Sequence, residues 1–162
     1  MLFSTKWRRT MRFRCWTLPG RFFKRSGPDR HLFVEAFCCL AIARLVLIAV
    51  AFRYIAPFLG QLRAESPRHD ALAATLATRI SWAVQTAGRF TPWKSPCLVQ
   101  AIAGKMMLKR RKIPSTLYLG VAKHANEGLS AHAWLRCGDR ILTGGALKEQ
   151  FTVVSTFGES GA

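Results

Sequence analysis

The stretch WKSPCLVQAI, residues 93–102, places a cysteine directly behind a Ser-Pro pair at the head of an apolar run. Ser95 is a residue type that caps helices, and Pro96 suits the first helical position. The pattern predicts a helix over residues 97–112 with Cys97 in its first turn. Unpaired backbone N–H groups and the positive helix end favour a thiolate there and can bind an oxyanion. A packed structural thiol is the alternative interpretation.

A second segment, SAHAWLRC at residues 130–137, supplies a histidine on a predicted strand. His132 alternates with Ala131 and Ala133, so small neighbours leave space beside its imidazole. A positioned and reachable imidazole can serve as a general base. The alternative is a strand histidine with only a structural role. The other histidines fall in turn, linker or loop sequence: His31, His69 and His124.

The order of the predicted elements is helices first and strands afterwards. We expect helices over residues 31–60 and 71–88, the latter from the three-to-four spacing of its apolar positions. Residues 115–157 alternate like strands and contain Gly138-Asp139, a pair typical of a tight hairpin turn. Three or four antiparallel strands would follow three helices, which is an α+β domain.

The apolar stretch at residues 32–59 is long enough to raise the question of a membrane span. Glu35 and Arg44 interrupt it, and a central arginine costs about 2.5–3.5 kcal/mol on insertion scales. Arg53 and Pro57 close it. Two interpretations stay open: a buried or amphipathic helix of the domain, or a helix that spans the membrane or lies on its surface.

Composition narrows the class of protein. The 162 residues predict one domain over 31–162 behind a basic, aromatic arm at residues 1–30. The net charge of +17 favours acidic partners, namely nucleic acid, an anionic membrane or an acidic peptide. No recognised nucleic-acid motif is present, so nucleic acid is not expected.

Five cysteines without a CxxC pair predict neither a disulfide framework nor a metal site, and they indicate a reducing cytoplasm. We expect no cofactor.

Taken together, four motifs resemble a known family. They are Pro96-Cys97-Leu98, the basic tract before Ile113-Pro114-Ser115, Leu119-Gly120-Val121 and Ala131-His132-Ala133-Trp134. These residues look like the transglutaminase-like B proteins of lasso-peptide clusters, which are leader peptidases. The likeness covers residues 28–157 or so, and it includes the apolar N-terminal helix. It implies a transglutaminase-like (papain-like) cysteine peptidase fold with N-terminal helices and a C-terminal antiparallel sheet.

The resemblance also implies catalytic roles. Cys97 would be the nucleophile and His132 the general base, with a third group orienting the imidazole. The family's acid is expected near Gly144, where this chain has no carboxylate. Thr143, a backbone carbonyl or no group at all could take that place. Asp139 follows His132 by seven residues, which span about 20 Å along a strand. Its carboxylate is therefore too far from the imidazole, and Asp139 is expected to be only a turn residue.

Two further groups of residues are candidates for substrate binding. Trp93 and Trp134 would wall the cleft, unless both are plain core aromatics. The tract Lys109, Arg110 and Arg111 would attract an acidic leader peptide, unless it is only a solvated helix end that suits the helix dipole.

The function that the resemblance implies is removal of the leader peptide from a lasso-peptide precursor before macrocyclisation. The arm is too short for a leader-recognition domain, so a separate leader-recognition protein is expected as a partner, with a lasso cyclase downstream. Two alternatives stay open: a non-catalytic transglutaminase-like scaffold, and a basic protein that binds a membrane surface or nucleic acid. We expect a cytoplasmic protein, with membrane association through residues 32–59 as the open question.

Overall fold

The computed structural model describes residues 27–67, 71–124 and 128–159. Residues 1–26 of the predicted arm, and with them Cys15, lie outside the described residues. The α-helices are α1 (Gly27–Ala49), α2 (Phe52–Ile55), α3 (Ala71–Gly88) and α4 (Cys97–Lys109). The strands are β1 (Gln61–Leu62), β2 (Thr116–His124), β3 (Gly128–Cys137), β4 (Arg140–Thr143) and β5 (Thr152–Gly158). Short 3-10 helices cover Ala56–Leu59 and Gly145–Gln150.

The strands form one antiparallel sheet in the order β1-β5-β2-β3-β4. The tight hairpin between β3 and β4 turns at Gly138-Asp139, and Gly138 has a positive φ of 55°. A glycine adopts this conformation without steric cost, so the dipeptide predicts the turn. The sheet also contains β1, a two-residue edge strand that the sequence pattern does not reveal, and β2 extends through His124, which the pattern assigns to a loop.

The apolar stretch is not one helix over residues 31–60. Helix α1 already begins at Gly27 and ends at Ala49, and Ala51 is extended before α2 starts. One face of α1 is buried in the core, through Leu32, Ala36, Cys39, Leu40 and Ala43. By length and composition alone α1 could cross a membrane, yet this buried face makes it part of the domain.

Helices α1, α3 and α4 pack with one face of the sheet into a common core. Helix α3 has the bounds that its apolar spacing predicts, and Ile80 and Val84 are fully buried on it. Gly104 of α4 lies against β3 so closely that a Cβ there would sit 2.8 Å from Leu135 Cδ2. This close approach fixes the position of α4 along β3.

An ion-pair cluster joins α1 to the end of α4. Glu35 of α1 accepts hydrogen bonds from Arg111 at 2.9 and 2.6 Å and lies 3.1 Å from Arg110. The hydrogen bond from Arg111 lowers the pKa of Glu35 below 4.5, against the opposing effect of burial. The charged residue that interrupts the apolar stretch is therefore a structural contact between α1 and the turn after α4.

Candidate active site

Cys97 is the first residue of α4 and is half-buried. Pro96 is the residue before the helix, extended at φ −65° and ψ 169°, and its carbonyl accepts the first intrahelical hydrogen bond from Gln100 N–H at 3.1 Å. The N–H groups of residues 97–99 therefore precede the first such bond and have no acceptor within the helix. This helix head can bind a developing negative charge beside the thiol.

Ser95 does not cap the helix, in contrast to the sequence-based expectation, because no side chain caps α4. Its hydroxyl instead pairs with Thr91 Oγ1 at 2.9 Å, and Thr91 also donates to the Trp93 carbonyl. Gln100 Nε2 donates to the Ser95 carbonyl at 2.9 Å. These bonds tie the loop before Cys97 to the helix that follows, so they hold the thiol-bearing residue in place.

His132 lies on β3, and its Nε2 is 2.8 Å from the carbonyl oxygen of Gly144. A carbonyl oxygen only accepts hydrogen bonds, so Nε2 is assigned as the nitrogen that carries the hydrogen. In the neutral imidazole Nδ1 then keeps its lone pair. The contact therefore prepares Nδ1 to accept a proton.

Gly144 can offer this carbonyl only because it has no side chain. Its backbone is left-handed at φ 72° and ψ 8°. An added Cβ would collide with the Ala133 carbonyl oxygen and would lie 3.0 Å from Trp134 Cβ. Any other residue at this position would be strained and would push the 3-10 helix Gly145–Gln150 away from β3.

Thr143, the side chain proposed as the orienting group, makes no hydrogen bond to His132. It pairs with Leu135 across the β3–β4 ladder, and its buried hydroxyl has no hydrogen-bond partner among the described residues. The backbone carbonyl of Gly144 occupies the orienting position instead. Asp139 lies exposed in the β3–β4 turn, as expected for a turn residue.

Aromatic rings surround the His132 imidazole. Its ring centroid is 5.0 Å from that of Phe151 and 6.0 Å from that of Trp134. Trp134 stacks in parallel on Tyr118 at 5.5 Å. Burial raises the pKa of Tyr118, so this phenol stays neutral, and its oxygen accepts a hydrogen bond from Arg136. This aromatic stack holds the strand that carries the imidazole.

Strand alternation separates two sets of side chains on β3. Ala133 and Leu135 belong to the core shared with the helices, whereas His132 and Trp134 are on the opposite face of the sheet. No hydrogen bond joins Cys97 to His132 among the contacts of the described residues. Thiol and imidazole are thus not directly paired in this state of the protein.

Cys97 and His132 lie on two elements, α4 and β3, that pack directly against each other. Gly104 meets Leu135, and Lys105 donates to the carbonyl of Ser115, next to the end of β3. Going back from that contact, Cys97 is seven helical residues away, or about 10.5 Å. His132 is three strand residues away, or about 10 Å. Strand β4 ends at Thr143, before it would pair with His132, and beyond that point Gly144 and the 3-10 helix Gly145–Gln150 pack against β3.

The two tryptophans predicted to wall a cleft lie in different layers. Trp93 packs against Phe37 of α1, with ring centroids 5.5 Å apart, whereas Trp134 stacks on the sheet face away from the helices. The indole N–H of Trp93 is buried and has no acceptor among the described residues. It is a hydrogen-bond donor four residues before Cys97.

The basic tract lies at the other end of α4 from Cys97, about 18 Å away for twelve helical residues. The helix ends at Lys109, three residues earlier than predicted, and Lys112 has a positive φ of 56°. Arg110 and Arg111 pair with Glu35. Lys109 donates to the carbonyl of Phe58. The structure therefore gives these cations contacts within the domain, away from Cys97.

The other cysteines of the described region differ from Cys97 in their surroundings. Cys39 and Cys137 are buried, and burial raises the pKa of the Cys39 thiol. Cys38 is exposed in the middle of α1, without a helix head beside it. Across residues 27–67, 71–124 and 128–159, no group of three or more His, Cys, Asp or Glu is placed to hold a metal ion.

Sequence reasoning missed the groups that support the site through the backbone. Arg136 is buried and donates to the carbonyls of Gly138 and Ser66, in addition to the Tyr118 hydroxyl. It thereby ties the linker before α3 to the hairpin that carries His132. The pair Gly144-Gly145 directly after a strand was the signal available for the orienting carbonyl.

Comparison with known families gives an independent assignment. The family model of the transglutaminase-like superfamily matches residues 42–156. No curated protein and no solved structure matches the chain. The matched range includes Cys97, His132 and Gly144, and it covers more than half of the chain. The chain, an α+β domain with a cysteine at a helix head and a histidine on the following sheet, belongs to the transglutaminase-like superfamily.

Proposed function

We propose that this protein is a cysteine peptidase that removes the leader peptide from a lasso-peptide precursor before macrocyclisation. The observation that carries the proposal is the His132–Gly144 bond, which leaves Nδ1 as a base on a domain with Cys97 at a helix head. The superfamily includes cysteine peptidases. The motifs around Cys97 and His132 support the narrower assignment to lasso-peptide leader removal.

The reaction follows from these groups. The Cys97 sulfur attacks the scissile carbonyl carbon while His132 Nδ1 takes the thiol proton, and the helix-head N–H groups stabilise the oxyanion. The C–N bond then breaks as the imidazolium gives its proton to the leaving amine. Water hydrolyses the thioester, which releases the leader with a free carboxylate and restores the thiol.

The proposal requires the Cys97 thiol and the His132 imidazole to come within hydrogen-bonding distance of each other when the substrate binds. Catalytic hydrogen bonds are often absent or long without substrate and tighten in the complex. The Gly144 carbonyl is neutral, so it stabilises an imidazolium less than a carboxylate would. We therefore expect a slower reaction than a complete triad would give.

The proposed partners follow from the proposed reaction. A leader-recognition protein would present the precursor peptide, and a lasso cyclase would take the released core peptide. We propose that the reaction takes place in the cytoplasm.

The test is cleavage of the precursor peptide in the presence of the recognition protein, followed by mass spectrometry. Cys97→Ala and His132→Ala should lose cleavage, whereas Cys38→Ala, which alters an exposed thiol away from the helix head, should cleave like the wild type. Cleavage by Cys97→Ala at the wild-type rate would refute the peptidase assignment. Failure of the wild type with every precursor would favour the non-catalytic scaffold, and equal rates with and without the recognition protein would remove that partner.

A further inference from the structure

Helix α1 exposes a continuous apolar face on the side away from the core. This face, called here the α1 stripe, consists of Val34, Cys38, Ile42, Leu45 and Ile48. Leu45 and Ile48 are 66% and 67% exposed. The spacing of three and four residues aligns the side chains along one side of a helix. No charged residue lies within the stripe, which runs about 21 Å at 1.5 Å per residue.

An apolar surface of this continuity marks an interaction site, because scattered exposed residues would not align along a helix. The domain itself does not need it, since Leu40 and Ala43 on the other side of α1 are already buried against the core. A partner that covers the stripe must therefore be apolar where it meets the helix.

The charge around the stripe specifies that partner. Arg30 is exposed one turn before Val34, at the N-terminal end of the stripe. Residues 1–26, which lead directly into α1, contain eight Lys or Arg and no Asp or Glu, together with six Phe or Trp. An apolar face next to a dense cationic and aromatic segment fits an anionic lipid surface.

We propose that the α1 stripe docks the domain on an anionic membrane, with α1 lying in the plane of the interface. A spanning orientation conflicts with the structure, because lipid would then have to replace the core on the buried side of α1. The ion pair of Glu35 with Arg111 also holds this helix in the domain. A second copy of the chain is a poorer occupant, since two surfaces of a protein with net charge +17 repel each other.

The proposal is tested by co-sedimentation of the full chain with vesicles, an assay that does not depend on peptidase activity. One set contains phosphatidylcholine alone, and the other contains phosphatidylcholine and phosphatidylglycerol in equal parts. The variant Leu45→Glu/Ile48→Glu places charges on the stripe. The control Leu129→Glu/Val154→Glu makes the same change at exposed apolar residues outside α1, which are 73% and 59% exposed.

The wild type and the control should bind the phosphatidylglycerol vesicles, and the stripe variant should bind at least roughly tenfold more weakly. Circular dichroism melting checks that both variants stay folded. Equal binding by the stripe variant would overturn the proposal and assign any attachment to the basic segment alone. Lack of wild-type binding, or a dimer in light scattering that the stripe variant abolishes, would overturn it too.

Discussion

His132 Nε2 and the carbonyl oxygen of Gly144 lie 2.8 Å apart, and this bond joins β3 to the residue that follows β4. A peptide carbonyl does not ionise, so the acceptor of this hydrogen bond stays uncharged at every pH. It also cannot be removed by changing a side chain, only by disturbing the backbone that presents it. The left-handed conformation of Gly144 is what brings the carbonyl to the imidazole.

Gly144→Ala should destabilise the protein by about 2–3 kcal/mol and strongly lower precursor cleavage, because the added Cβ is strained and collides with the Ala133 carbonyl. The matched control is Gly128→Ala. Gly128 also has a positive φ, 78°, but open space around its Cβ position, so this change should cost only about 1 kcal/mol. Urea unfolding and cleavage rates measure both. An equal loss in the free energy of unfolding for the two variants would mean that the close packing of Gly144 against β3 does not contribute to stability.

Asp139→Asn should leave the cleavage rate within a few-fold of the wild type. This carboxylate lies in the turn between β3 and β4, while the His132 Nε2 is held by Gly144. In a serine protease, replacement of the triad acid by its amide costs on the order of 10⁴ in turnover. A thousand-fold loss in turnover would identify Asp139 as the catalytic acid and contradict the orienting role of Gly144.

Glu35→Gln should lower the free energy of unfolding by about 1.5–3 kcal/mol at neutral pH, because Arg111 loses a charged acceptor. The pKa of Glu35 lies below 4.5 in the folded state. The ion pair therefore stabilises the fold above pH 4.5, and this contribution disappears as the pH falls through the lowered pKa. The difference between wild type and variant should shrink in urea titrations over that acidic range.

A matched comparison separates the two arginines that meet Glu35. Arg111 is the less exposed partner, and the side chain of Arg110 is 69% exposed. Arg110→Gln should cost under about 1 kcal/mol, as for a surface ion pair, and Arg111→Gln clearly more. The reverse order would show that the shorter Arg111 contact is not the stabilising one.

Lys105→Met should change the pH dependence of stability at alkaline pH. Lys105 is 1% exposed, and its Nζ donates to the Ser115 carbonyl at 2.6 Å. Burial lowers the pKa of Lys105 below 10.5, against the opposing effect of Glu159. The unfolded chain thus holds this proton to higher pH, so the wild type should gain stability relative to the variant as pH rises towards 10.5. Urea unfolding of both proteins from neutral pH to pH 10.5 measures the difference, and parallel curves for wild type and variant would contradict the prediction.

Short sequence patterns predict those elements whose conformation is determined by residues close together in the chain. The apolar spacing defines α3, and the Gly138-Asp139 pair defines the hairpin. The position of Cys97 in the first turn also follows from the sequence, although the cap is Pro96 and not Ser95. Each of these features depends on residues within a few positions of one another.

Contacts between distant segments escape such patterns. Glu35 and Arg111 are 76 positions apart, so an acid within an apolar stretch suggests a break in a helix and not an ion pair. The orienting group for His132 is a backbone carbonyl, which every residue possesses and no side-chain motif reveals. For the same reason, the separate layers of Trp93 and Trp134 appear only when the helices and the sheet are assembled.

The ion pair between Glu35 and Arg111 also determines the order in which the chain can complete its fold during synthesis. Helix α1 leaves the ribosome before α4 exists, so the part of its buried face that packs on α4 has no partner while the next 62 residues, from Val50 to Arg111, are made. At about 5–20 residues per second that interval lasts several seconds. The α1 stripe and the part of the buried face that α4 will cover are both exposed during this time, and we expect the nascent chain to need a chaperone or a membrane surface until α4 arrives.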